Sequence, residues 1–458
     1  MTTNWATLRE LLLPAAESGG RGRAVEAALR SAIRDGQLAP GLRLPSSRDL
    51  AAQLGVARGT VTAAYGQLTA EGYLTARRGS GTTITTTLGA PALPPEPVPS
   101  VMRWRYDLRP GLPALSEFPR AEWVAMTRAA LTELPDEALG YPDPAGLPDL
   151  RAELAAYLGR VRAVTATADD LVITHGGAEA LSMLAAVLRA GGHRTIGVED
   201  PGHPGQKDLL REHGLHAEHV PVDDHGIMVS EIPAGCRVVL VTAAHQFPLG
   251  VTLHPERRHA LLAWARACDG LVIEDDYDAE HRYDRPALRA MQAMDPARVA
   301  YLGSVSKTLA PALRLGWLVL PAGLRANTVS RKQLTDLGCS PLPQAAFARL
   351  LRGGGYDRHL RRTRSAYRRR RDALLAALHE HLPSWQPIGV AAGLHVVLRL
   401  PSGVDDSVVQ QQLAARGINT PALCSYTSRG TYPGLVIGYA ATTPDRLRAA
   451  VREIALTV

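Results

Sequence analysis

The chain has 458 residues, 46% hydrophobic and 21% charged, with a formal net charge of +7 and a pI near 9.4. That is too long for one simple core, so two or three folded domains of ordinary globular composition are expected. No apolar stretch reaches membrane-spanning length, and the run Leu11-Leu12-Leu13 is broken by Pro14, which excludes a secretory signal pattern. The four cysteines lie far apart without CxxC or Cys/His ligand spacing, and no HExxH or EF-hand loop occurs, so no metal is expected and the thiols fit a cytoplasmic protein.

The charge is uneven. Residues 1–85 hold ten arginines against six acids, more than half of the net excess in under a fifth of the length, a footprint that points to nucleic acid. RAVEAALRSAIR (23–34) repeats apolar residues at helical spacing. Ser46 or Ser47 can cap a helix running through Asp49 to Leu54, and Gly55 permits a tight turn. Ala57 or Arg58 then opens a second helix to about Leu68, with Val61, Ala64 and Leu68 on its inner face. Arg58, Thr60, Thr62 and Tyr65 are expected to face outward, near the end that enters a major groove. YLTARRGSGTTIT reads as a two-stranded wing in which Arg77 and Arg78 lie beside glycines, so the backbone can approach phosphate. A helical docking domain with a solvated basic face is the alternative. The block LPSSRDLAAQLGVARGTVTAAYGQLTAEGYL with its glycine-rich wing resembles the winged-helix domain of the GntR family. The resemblance implies binding of double-stranded operator DNA, with Arg48 and Arg58 as base or phosphate contacts and Thr60 and Thr62 after them.

GAPALPPEPVP (89–99) predicts an extended, semi-rigid spacer. The expected domains are therefore a winged helix-turn-helix over 1–85, a proline-rich linker over 86–103, and an α/β domain over 104–458. In the last, short β-branched runs at 170–176, 194–200, 237–245 and 270–276 alternate with helical segments, which argues a parallel sheet with ligands at the carboxyl ends of its strands. Four stretches there carry chemistry. THGGAEALSML (174–184) puts Gly177 and Ala178 at a helix N-terminus suited to phosphate. EDPGHPGQ (199–206) sets His203 in a turn over a pocket. LVIEDDYDAEHRY (271–283) ends a buried strand in two acids and a tyrosine, where a carboxylate is costly without a cation or a strong donor. GSVSKTLAPALRLGW (303–317) holds Lys307, one of only three lysines among 51 basic residues. A lysine amine, unlike a guanidinium, can lose its proton and attack a carbonyl. A phosphate cradle, a pyridine-nitrogen partner, a ring-stacking side chain and a Schiff-base lysine are together what pyridoxal phosphate needs.

DLRPGLPALSEFPRAEW (107–123), GYPDPAGLPDLRAELAAYLGRVRAV (140–164), HQFPLGVTL (245–253), EDDYDAE and SVSKTLAPALRLGW resemble the fold-type I aminotransferases. With the winged helix, the chain resembles the MocR/GabR subfamily of GntR regulators over almost its full length. The resemblance implies an aldimine of the cofactor on Lys307. Asp275, rather than Asp276, would pair with the pyridine nitrogen, and Tyr277 would bond the ring hydroxyl. His203 would stack on the ring, and Gly177, Ala178, Ser304 and Arg314 would hold phosphate. Tyr141 would reach the phosphate of a partner subunit in a head-to-tail homodimer. The implied function is a ligand-responsive transcription regulator whose signal is an amine, an amino acid or pyridoxal phosphate itself. The aminotransferase-like domain would then sense rather than turn over. A working aminotransferase with an appended DNA-binding domain is the alternative. Three departures from the family stand out. Histidine occupies the ring-stacking position. His245 or Gln246 must supply the ring-hydroxyl contact of the usual Asn-Pro stretch. Val436 stands where an arginine commonly clamps the substrate carboxylate, with Arg399 or Arg429 as substitutes.

Overall fold

The structure, a computed structural model, describes residues 21–77, 81–85, 104–283, 288–389, 391–430 and 432–457. The chain divides into two compact units, Met1–Met102 and Arg103–Val458. Arg78 and the proline-rich segment 86–103 lie outside the described residues.

In the small unit, helix α1 (Arg21–Arg34) buries Val25, Leu29, Ala32 and Ile33, the i, i+4, i+7, i+8 stripe of its sequence. Helix α2 (Ser47–Leu54) starts at Ser46, whose hydroxyl accepts the Asp49 N–H at 3.2 Å, and stops at Gly55 in the left-handed region at φ 64°. Helix α3 (Arg58–Ala70) follows, then strands β1 (Leu74–Arg77) and β2 (Gly81–Ile84) pair antiparallel, with buried Leu74 opposite buried Ile84. Val25, Leu29, Leu50, Val61 and Leu68 are fully buried in one core. Tyr65 belongs to that core and corrects the outward placement expected of it. It lies four residues after Val61 and three before Leu68, on the inner stripe, and its hydroxyl donates to the Pro45 carbonyl at 3.0 Å.

In the large unit, β3 is Tyr106–Asp107 and β4 is Leu171–Thr174, followed by β5 (Thr195–Asp200), β6 (His216–Asp223), β7 (Gly226–Ile227) and β8 (Val238–Val241). Then come β9 (Leu271–Asp276), β10 (Val299–Ser304), β11 (Gly316–Val319), β12 (Gln386–Ile388), β13 (His395–Arg399), β14 (Ile418–Asn419) and β15 (Gly434–Gly438). Among the described residues the main sheet has eight strands in the order β4-β11-β10-β9-β8-β5-β6-β7. β10, β9, β8, β5 and β6 run parallel, as the alternating pattern predicts. The sheet is nevertheless mixed: β11 is antiparallel to both β10 and β4. The loop from Ser304 to Gly316 contains no crossover helix, only a short turn at Pro311–Leu313, so the chain doubles back beside the strand it has just left.

A second sheet, β12-β13-β15, and the helices Asp406–Ala415 and Pro444–Ala455 form the other half of this unit. β3 pairs in parallel with β14, so the first strand of the unit is stitched to its last third. The arginine-rich run RRTRSAYRRRRDALLAAL (361–378) belongs to the 27-residue helix Gly355–His381. Leu374 and Leu378 are fully buried in the core of this half, Arg358 pairs with Glu122, and Arg370 pairs with Glu117.

Candidate functional site

A cavity of about 670 Å³ opens at the carboxyl ends of β4, β5, β9 and β10. After β4 the chain turns at Gly176 (φ 92°) and enters the helix Gly177–Ala190, whose first residues Gly177 and Ala178 line the cavity. Backbone N–H groups at such an end lack intrahelical partners and attract anions. Arg314, itself left-handed at φ 48°, lays its guanidinium on this turn: a Cβ at Gly176 would stand 3.2 Å from its Nη1. Gly316 faces the other side, where a Cβ would stand 2.8 Å from the Gly176 Cα. Two glycines back to back thus let two chain segments meet under a phosphate-sized cradle, which Ser304 also lines.

Lys307 follows β10. Its amine points into the cavity and donates to the Gly111 carbonyl at 2.8 Å. Burial lowers its pKa, and the charges of Asp275 and Asp278 only partly oppose that. At the end of β9, alternation sends the two acids to opposite faces. Asp276 is held behind the sheet by Arg162 at 2.7 Å and by the Tyr301 hydroxyl at 2.5 Å. Asp275 faces the cavity, where burial pushes its carboxyl up to about 7 against one donor, the Gln206 amide at 2.6 Å. Tyr277 also lines the cavity, and its hydroxyl donates to the His245 carbonyl at 3.0 Å. The His245 ring in turn meets the Asp278 carboxylate at 2.9 Å. His203 lines the cavity beside Phe247, ring centroids 5.5 Å apart, and burial and the Lys307 charge lower its pKa.

Not every expected residue is brought to this wall. Gln246 is buried outside it: its amide donates to the carbonyls of Pro201 and Phe247, and its oxygen accepts the Leu249 N–H. Tyr141 is 89% exposed and away from the cavity. Val436 is fully buried in an apolar cluster with Val397, Leu423 and the cavity-lining Tyr426. Neither proposed substitute reaches the site. Arg399 stacks on Tyr432 at 4.1 Å, and Arg429 is exposed. Gln206, Arg109 and Gly111 line the cavity without having been singled out. Gln206 stands three residues after His203, one helical turn on, a spacing that could have flagged it.

A second cluster joins His175, Glu179, Asp336 and Cys339, whose ligand-type atoms lie within 4.8 Å of one another. The fully buried Lys332 ammonium bridges the two carboxylates, at 3.1 Å to Glu179 and 2.7 Å to Asp336. Contacts with Cys339 and Glu179 push His175 up to about 10.

On the small unit, Arg48, Arg58, Thr62 and Arg77 are exposed and Thr60 is half-buried. Arg58 is the first residue of α3, the helix end that meets base edges in helix-turn-helix proteins, and its carbonyl accepts the Thr62 hydroxyl at 3.0 Å.

Residues 21–84 match the family described as bacterial regulatory proteins, gntR family, and residues 119–454 match aminotransferase class I and II. A Corynebacterium glutamicum protein, the HTH-type pyridoxine biosynthesis transcriptional regulator PdxR, is 36% identical over 93% of each chain. A Rhizobium meliloti protein named "Probable rhizopine catabolism regulatory protein MocR" is 31% identical over 93% of this chain and 91% of its own. The chain belongs to the MocR subfamily of GntR regulators. The large unit of this MocR-type regulator superposes on a multiple substrate aminotransferase from Thermococcus profundus with a TM-score of 0.71, at 26% identity over 78% of this chain and 92% of that one. The MocR-type regulator binds DNA through its GntR domain and pyridoxal phosphate through its aminotransferase domain. The cavity fits that cofactor: an anion cradle, a desolvated carboxyl hydrogen-bonded by the Gln206 amide, and a lysine amine converge on one space. Among the described residues, no helix is long and apolar enough to cross a membrane.

Proposed function

We propose that this regulator reads pyridoxal phosphate itself as its signal, and that DNA binding by the small unit responds to occupancy of the Lys307 cavity. One observation carries the reading: the cavity offers donors for a phosphorylated pyridine aldehyde, while Val436 is buried in an apolar cluster and the cavity-lining Arg109 guanidinium is already paired with Asp107. The relative named for pyridoxine biosynthesis supports it.

When bound, pyridoxal phosphate supplies an aldehyde carbon open to attack by a primary amine. Lys307 would be the residue that holds it, its amine aimed by the Gly111 carbonyl and eased toward the neutral form by burial. Asp275, oriented by Gln206, would take the pyridine nitrogen as an ionised acceptor. Tyr277 would meet the ring hydroxyl and His203 would cover the ring face. Gly177, Ala178, Ser304 and Arg314 would hold the phosphate. In a head-to-tail homodimer the exposed Tyr141 reaches the partner's phosphate. Residues 1–85 are the DNA-binding domain, 86–103 the linker and 104–458 the sensing domain of a cytoplasmic protein. Arg48, Arg58, Thr60, Thr62, Arg77 and Arg78 contact the operator.

Mobility shifts on the DNA flanking its own gene, with and without pyridoxal phosphate, test this. A change of affinity with the cofactor alone is expected. A change that requires an added amine instead would favour an amine effector, for which the cavity has room beside Gln410, Asn419 and Tyr426. Steady turnover of an amino acid with an oxoacid would point to a working aminotransferase.

A further inference from the structure

Resting on the sensing reading above, we propose that Asp107 is a specificity-determining residue: it occupies Arg109 and so denies free amino acids a place beside the cofactor. Only two arginines line the cavity among the described residues, Arg314 and Arg109. Arg314 lies on the Gly176 turn. Arg109 stands close to the place a carboxylate clamp would occupy. A Cβ at Gly438, two residues along β15 from Val436, would come within 2.2 Å of the Arg109 carbonyl, and the Gly438 N–H donates to the Leu108 carbonyl at 2.7 Å. Two residues further along the chain, the Gly111 carbonyl holds the Lys307 amine at 2.8 Å. A carboxylate next to Lys307 would therefore find Arg109, the cavity-lining arginine that does not lie on the Gly176 turn, as its candidate guanidinium.

Asp107 already holds that guanidinium with both oxygens, Nε at 2.9 Å and Nη2 at 2.7 Å, a two-pronged fork. The Asn419 amide donates to the same carboxylate at 3.0 Å, and the parallel pairing of β3 with β14 fixes Asp107 opposite Asn419. Burial pushes the Asp107 carboxyl up, and Arg109 more than offsets it, holding the group below its usual range. The ion pair is partly exposed, so its own strength is modest. Exclusion does not depend on that strength. If Arg109 swings to a ligand, the Asp107 charge stays, anchored by Asn419, next to the incoming carboxylate. A sensor of the cofactor needs this property, because amino acids otherwise compete with Lys307 for the aldehyde carbon.

The test uses the full-length, cofactor-loaded protein titrated with L-alanine and with L-alaninamide, which keeps the amine and lacks the carboxylate. Binding is followed by the visible absorbance of the Lys307-bound cofactor. Asp107→Asn is expected to tighten alanine about 10-fold or more relative to the native chain, the step for one charge-assisted contact, and to leave alaninamide within about 2-fold. Adding Arg109→Leu should abolish the gain. Asp107→Ser serves as the second variant should Asn disturb β3, with the absorbance and melting temperature of the unliganded proteins as the check on folding. Unchanged alanine binding in both single variants, an equal gain for both ligands, or a gain that survives loss of Arg109 would overturn the proposal. Mobility shifts on the same proteins separate the two readings: DNA binding indifferent to pyridoxal phosphate, with alanine binding gained, sinks the sensing role and leaves the Asp107 assignment standing.

Discussion

Asp275 carries the clearest electrostatic consequence of the fold. Its carboxyl is raised from 3.8 to about 7 by burial, so the empty folded protein holds a proton there that the unfolded chain releases above 3.8. Between those values the native state binds more protons, and this group's contribution makes stability fall as pH rises. Asp275→Asn should flatten that fall in the cofactor-free protein, read as melting temperature against pH. The same substitution removes the anion opposite the pyridine nitrogen and should weaken cofactor binding roughly 10- to 100-fold, the worth of a hydrogen bond to a charged group, by absorbance titration. Tyr65 gives the converse case, a residue that looks like an interface and is not. Tyr65→Phe should cost about 1 kcal/mol of small-unit stability, because the Pro45 carbonyl loses its donor, and leave DNA affinity unchanged.

At the scale of elements, helix α3 and the β10–β11 loop carry the two activities. Arg58→Ala at the start of α3 should weaken operator binding by about 1–3 kcal/mol in a mobility-shift titration while the cofactor absorbance stays intact. Much here was legible in the sequence, for a physical reason: caps, glycines and strand ends are local signals. Ser46, Gly55 and the wing strands follow from turn chemistry and alternation, and Gly177, Asp275, Ser304, Lys307 and Arg314 come together because each ends or follows a strand or turn that local pattern reveals. What was illegible depends on pairing at long range. The pairing of β11 with β4, the bond of Gln246 to Pro201 and the Asp107–Arg109–Asn419 triad are fixed by partners elsewhere in the chain, up to 312 residues away in the case of Asn419 and Asp107. Tyr65 was misjudged because the face of a helix follows from the whole stripe, and 61, 65 and 68 share one.

At the scale of the molecule, a DNA-reading unit and an aminotransferase fold share one chain, and the scarcity of lysine makes their chemistry separable. Lys332 is fully buried between two carboxylates, Lys207 is paired with Asp200 at 3.2 Å, and Lys307 faces the cavity with, among the described residues, only a backbone carbonyl as hydrogen-bond partner. Borohydride reduction of the cofactor-loaded protein, followed by peptide mapping, fixes the cofactor on whichever amine carries it. The pyridoxyl mass is expected on the peptide containing Lys307, and Lys307→Ala should abolish it together with the visible absorbance. Its recovery on Lys207 or Lys332, or its absence from the native protein, would contradict the account.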